Sequence, residues 1–127
     1  MATTALTPKQ VIRRYLKAMT HGKPGDLTKL VAPNVLAVQG TERVQGAEAA
    51  EADAAHYRQL FPGWQFEVDR MVAEGAWVAV AGHSIGPELR LPWMAHYRVV
   101  RGRVAEAHIV ADAAPLAARG MKASLAV

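Results

Sequence analysis

From residue 65 to residue 112 the chain is an almost unbroken succession of apolar, alternating segments joined by short turns. Residues 65–73 set Phe66, Val68 and Val72 against Glu67 and Asp69, the period-two pattern of a strand with one buried face. Glu74-Gly75 reads as a hairpin turn. Residues 76–85 are apolar on both faces, as expected of a strand covered on both sides. Gly86-Pro87-Glu88 turns the chain into residues 91–100, and Arg101-Gly102 turns it into a last strand that runs to Asp112. Strands joined this tightly form an antiparallel meander.

Such a sheet needs a cover, and the first half of the chain supplies it. Thr7-Pro8-Lys9-Gln10 is a capping box with proline at the first helical position. Val11, Ile12, Tyr15, Leu16 and Met19 then recur at helical spacing. Gly22 and Lys23-Pro24-Gly25 stop that helix, and Asp26 is placed to cap a short second one over residues 27–31. A strand is expected over residues 35–39 and a third helix over 46–60, with Ala50, Ala54, Tyr57 and Phe61 in one stripe. A final short helix is expected from Pro115. Helices gathered before a meander pack on one face of it, which makes the fold α+β.

With 127 residues and no linker or repeat, one domain over residues 1–127 is expected, with disorder confined to residues 1–6 and 121–127. The absence of cysteine excludes a disulfide scaffold, thiolate metal sites and a cysteine nucleophile. No apolar run approaches the roughly 20 residues that span a bilayer, and no secretory signal is visible, so a cytoplasmic protein without membrane contact is expected. The net charge of +4 comes from scattered basic residues, with short clusters at Arg13-Arg14 and Arg98 to Arg103. Without interleaved aromatics this is a solvated surface, and no nucleic acid is expected as partner.

The titratable residues of the meander are the candidate chemistry. His108 and Asp112 share one strand face, but four residues of strand separate them by roughly 13 Å, too far for a direct hydrogen bond. With Glu74-Gly75 as a two-residue turn, His83 falls opposite Phe66, and Phe66, Val68, Trp77 and His83 share a face. The Arg101-Gly102 turn puts Trp93, Tyr97, Glu106, His108 and Asp112 on one face. Whether these faces coincide depends on the loop at residues 86–90, because a one-residue slip exchanges every side chain. If they coincide, a pocket holds His83, His108, Asp112, Trp77, Trp93 and Tyr97; otherwise His96 and Arg98 replace His108 and Tyr97. Asp112 has a competing reading as the cap of the C-terminal helix, and His108 as an ordinary core or rim histidine. Arg70 reads as an exposed edge residue, with Glu106 its partner if buried. Tyr15, Met19, Tyr57 and Trp64 are the helix-side walls. No phosphate loop, serine nucleophile elbow or His-Glu-x-x-His pattern is read, and no histidine spacing specifies a metal.

Read in order, several short motifs resemble the SnoaL-like polyketide cyclases of the nuclear transport factor 2-like superfamily. They are Gly25-Asp26-Leu27, Ala32-Pro33-Asn34-Val35, Val44-Gln45-Gly46, Leu60-Phe61-Pro62-Gly63-Trp64-Gln65-Phe66, Glu74-Gly75-Ala76-Trp77-Val78-Ala79-Val80, and Val104-Ala105-Glu106-Ala107-His108 with Asp112. The resemblance implies a cone-shaped α+β barrel, a curved, mostly antiparallel sheet wrapped by N-terminal helices around one deep pocket. It implies cofactor-free, metal-free acid/base chemistry on a small hydrophobic carbonyl substrate, with ring closure by intramolecular aldol addition. Isomerases, dehydratases, epoxide hydrolases and non-catalytic binders share the fold. The short stretch from residue 82 to 93 lacks the longer segment of many family members, which argues against a large polycyclic substrate held there. The family's acid/base aspartate lies late in the last strand, where Asp112 stands; this favours coinciding faces, with Asp112, His83 and His108 catalytic. Tyr15, Met19, Tyr57, Trp64, Phe66, Trp77, Trp93 and Tyr97 are then the substrate-binding walls. A homodimer through an apolar outer sheet face around Val78 and Val80 is also expected.

Overall fold

The computed structural model describes residues 6–112; the terminal tails and the helix expected at Pro115 lie outside the described residues. Helix α1 spans Pro8–His21 and carries both halves of its capping box. Thr7 Oγ1 accepts from the Gln10 N–H at 3.2 Å, and Gln10 Oε1 accepts from the Thr7 N–H at 2.9 Å. The helix buries Val11, Ile12, Tyr15, Leu16 and Met19, the stripe its spacing announces. A short 3-10 turn, Leu27–Leu30, follows. Asp26 does not cap it; its carboxylate accepts from the Lys23 N–H and closes the preceding turn. Helix α2, Ala47–Leu60, buries Ala54 and Tyr57, with Phe61 just past its end.

Strands β1 (Val31–Gln39), β2 (Glu42–Gln45), β3 (Gln65–Glu74), β4 (Trp77–Gly86), β5 (Leu89–Val100) and β6 (Arg103–Ala111) form one curved, open sheet in the order β2-β1-β6-β5-β4-β3. The β3–β6 meander is antiparallel throughout, and β1 joins β6 in parallel. Strand β2 has no counterpart in the sequence reading. Its Glu-Arg-Val-Gln offers one apolar side chain, and backbone pairing with β1 makes it a strand.

Two β-bulges set which side chains meet the helices. Between Val68–Gly82 and Arg70–Ala81 the register shifts and leaves Asp69 unpaired. Between Arg98–Glu106 and Val99–Val104 it shifts again and leaves Ala105 unpaired. Each extra residue reverses the face of everything beyond it. Phe66 therefore lies opposite Ser84, and His83 opposite Glu67. Tyr97 lies opposite Ala107, and His108 opposite His96. The first turn is also one residue later than expected, at Gly75-Ala76, with Glu74 opposite Trp77.

The inner face, toward the helices, carries Val78, Val80, Gly82 and Ser84 from β4 and Leu91, Trp93, Ala95, Tyr97 and Val99 from β5, all buried. Val78 and Val80, expected on the outer face, are 0% and 2% exposed and belong to this core. The outer face is instead floored by Ala79 and Ala81 and rimmed by Val72, Met94 and Val110.

Candidate functional site

The inner face is lined by aromatic rings in unbroken contact. Trp64 meets Phe61 at 5.1 Å between ring centres, Phe61 meets Tyr57 at 5.0 Å, Tyr57 meets Phe66 at 5.6 Å, and Phe66 meets Trp93 at 5.5 Å. Tyr15 of α1 meets Tyr97 of β5 edge-on at 5.6 Å. These are the expected walls Tyr15, Tyr57, Trp64, Phe66, Trp93 and Tyr97, joined by buried Met19. Trp77 is the exception, since it stands on the outer face beside His96.

Small residues on β4 seat these rings. A Cβ on Gly82 would lie 2.3 Å from the Glu67 carbonyl oxygen and 3.0 Å from the Trp93 indole, and one on Gly86 would lie 2.1 Å from the Trp64 ring. Between them Ser84 is fully buried. Gly82, Ser84 and Gly86 alternate along one face, and this was the sequence signal for the inner side of β4. The spacing is formally that of a serine nucleophile elbow. That motif needs a strained strand-to-helix turn, and here the chain is extended strand with His83 on the opposite face.

Burial raises all three inner tyrosines. Tyr57 is pushed up to about 12, with the Ser84 hydroxyl drawing it partly back. Tyr15 is raised by burial and then by the charge of Asp53, and Tyr97 by burial and then by Tyr15. The tyrosines stay protonated, as hydrogen-bond donors, at neutral pH. Sequence reading passed over Asp53, which belongs to no recognisable motif, and Ser84, whose Gly-x-Ser-x-Gly spacing lies within a strand pattern and not at a strand-to-helix turn.

The outer face holds the histidines. His83 and His108, expected inside, are turned out by the bulges at Asp69 and Ala105. His83 Nδ1 lies 2.6 Å from Asp69 Oδ2, and Arg90 reaches Glu67 at 2.5 Å and Asp69 at 3.8 Å. Glu67, Asp69 and His83 are the one group of potential metal ligands gathered among the described residues, and the Arg90 guanidinium already supplies a cation there. His96 and His108 stack at 4.7 Å, with Trp77 5.3 Å from His96. Glu106 pairs with Arg98 and, at 3.4 Å, with His108 Nε2. Arg98, then His108, hold the Glu106 carboxyl below its usual range against the opposing effect of burial. Arg98, not Arg70, is thus the partner of Glu106; Arg70 is exposed on the outer face. Asp112 is exposed just past Ala111, the residue paired with Trp93, where β6 leaves the sheet. The structure therefore gathers the aromatic walls in one place and separates them from both candidate histidines.

Comparison with known proteins matches residues 12–107, most of the chain, to the SnoaL-like domain. No curated protein matches by sequence. Solved structures share the fold. An NTF2-like protein of unknown function from Cytophaga hutchinsonii is 17% identical, with 91% of this chain and 98% of that one covered, at a TM-score of 0.75. A candidate SnoaL-like polyketide cyclase from Jannaschia is 18% identical, with 94% of each chain covered, at 0.75. A candidate ketosteroid isomerase from Kribbella flavida is 23% identical, with 83% and 77% covered, at 0.70. No helix among the described residues is long and apolar enough to cross a membrane.

Proposed function

Because this chain belongs to the SnoaL-like family, we propose that it takes a hydrophobic carbonyl compound of the polyketide type on its inner face and closes a ring by cofactor-independent aldol addition. The continuous aromatic lining from Trp64 to Trp93 carries this reading. Such a wall binds a flexible hydrocarbon chain by apolar contact and holds it folded, the positioning part of catalysis. Asp112, exposed one residue past Ala111, the partner of Trp93 at the end of β6, is the candidate acid/base. Its carboxylate takes a proton from the carbon next to one carbonyl. The enolate carbon then bonds to the second carbonyl carbon, and the proton returns to the new alkoxide. The test is cyclisation of a linear δ-diketone, followed by enone absorbance after dehydration. Wild type accelerates it and Asp112→Asn does not; full activity in Asp112→Asn removes this role.

A second reading, binding without turnover, has its own observation. Among the described residues Ser84 is the one fully buried residue of polar type, and the carboxylate near the inner tyrosines, Asp53, is only half-buried. Diketone binding without cyclisation selects this reading.

We infer further that a second copy of the chain covers the outer face. Val72, Met94 and Val110 are 57%, 63% and 76% exposed, side by side around a groove of about 500 Å³ floored by Ala79 and Ala81. Most of the charges around it are matched within the face, Arg90 with Glu67, Arg98 with Glu106 and His83 with Asp69, while Arg70 stands exposed on the groove wall. A largely balanced face carrying both ridge and trough suits a two-fold contact with itself. Light scattering is expected to give a dimer, and a clean monomer at all concentrations overturns the inference.

A further inference from the structure

Three polar atoms are sealed inside the aromatic wall. Tyr57 Oη, Ser84 Oγ and Trp93 Nε1 have no accessible surface and make no hydrogen bond of full geometry among the described residues, although the Ser84 hydroxyl lies near enough to Tyr57 to lower its pKa. Their residues are 1%, 0% and 3% exposed. An unpaired buried donor carries an energetic penalty, and three together call for a common partner.

They gather around one ring. Phe66 lies opposite Ser84 across the β3–β4 ladder, and its ring centre is 5.6 Å from Tyr57 and 5.5 Å from Trp93. Gly82 lets the indole lie down against β4, two residues from Ser84 on the same face. All three groups can donate. Indole N–H can only donate, and Tyr57 keeps its proton at neutral pH. The partner they fit is therefore an acceptor without a proton of its own. A carbonyl or enolate oxygen meets that demand, and an ammonium group does not. Phe66 also lines a crevice of about 330 Å³ between α1 and β3, with Leu16, Thr20 and Val68. Phe66 is the residue shared by that crevice and the surroundings of the three donors, so a hydrocarbon body attached to that oxygen would lie against its ring.

We propose that Tyr57, Ser84 and Trp93 together bind the oxygen of a ketone or its enolate, the hydrocarbon part lying along Phe66 toward the α1–β3 crevice. This rests on the inner-face reading above and adds to it the atoms that recognise the oxygen. It also separates the oxygen-binding groups from the proton-transferring one. Donors fixed in an apolar surround stabilise the negative oxygen of an enolate more than the neutral ketone, so they favour proton removal wherever the base stands.

The test compares two probes of one shape, α-tetralone and tetralin, binding to wild type, Tyr57→Phe and Ser84→Ala by fluorescence titration. Each substitution removes one oxygen and relieves an unpaired group, so the fold is retained. Wild type is expected to prefer the ketone, and each variant to lose about tenfold of ketone affinity while tetralin affinity is unchanged. Equal affinity of wild type for the two probes, or a preference that survives both substitutions, overturns the donor assignment and leaves the apolar inner site standing. Binding of neither probe overturns the inner site and the donor assignment together.

Discussion

The two faces of one sheet differ more than the two halves of the chain. On β4, Val78, Val80, Gly82 and Ser84 face the helices and are sealed, while Trp77, Ala79, Ala81 and His83 alternate with them on the other side. The inner face carries aromatic rings and unpaired donors; the outer face carries paired charges, stacked histidines and a bare apolar groove. Chemistry that looked like one pocket in the sequence is divided between two surfaces. Donors left unpaired on one side suit a small molecule, and charges already paired on the other suit a second protein surface.

Substitutions at neighbouring positions should sharpen this contrast. Gly82→Val has the largest expected effect, because its Cβ meets backbone at 2.3 Å. A stability loss of about 3 kcal/mol in urea unfolding is expected. Val80→Ala should cost about 2 kcal/mol by leaving a cavity in the core, while Val110→Ala, 76% exposed, should cost less than about 0.5 kcal/mol in the monomer. If the two alanine variants lose similar stability, the assignment of faces fails.

Met94→Lys should leave the chain folded and weaken the dimer by about 2 kcal/mol, read by sedimentation equilibrium. An unchanged dimer places the interface elsewhere. The smallest expected effect is the pH dependence of Glu106. Its carboxyl titrates below its ordinary value of 4.5 in the folded chain, chiefly through Arg98. The stability it contributes is complete above the unfolded value and is lost as pH falls through the folded one. Urea midpoints of wild type should therefore fall more steeply in acid than those of Glu106→Gln, and parallel curves contradict the pairing.

The helices and the meander were legible because each has a local cause. A capping box starts α1, a stripe at helical spacing buries it, and glycine-bearing turns punctuate the strands. The Arg101-Gly102 turn stands as read, with both residues at positive φ of 52° and 75°. The bulges had no such signal. Asp69 and Ala105 look like ordinary members of an alternating run, and only the packing of Phe66 and Tyr97 against the helices makes them the extra residues. A single extra residue is enough to move a histidine from one surface to the other, so the walls were legible and the placement of His83, His108 and Trp77 was not. The alternation of Gly82, Ser84 and Gly86 was the one local clue to the inner face.

The most direct measurement uses the tryptophans as reporters of the two faces. Trp64 and Trp93 lie inside and Trp77 outside. Indole N–H resonances of nitrogen-15-labelled protein should respond separately to ketone titration and to dilution. The two-face account predicts that α-tetralone moves the Trp93 resonance and leaves Trp77 in place, while dilution moves Trp77 and leaves Trp93. A ketone-induced shift at Trp77 with Trp93 unmoved would contradict it.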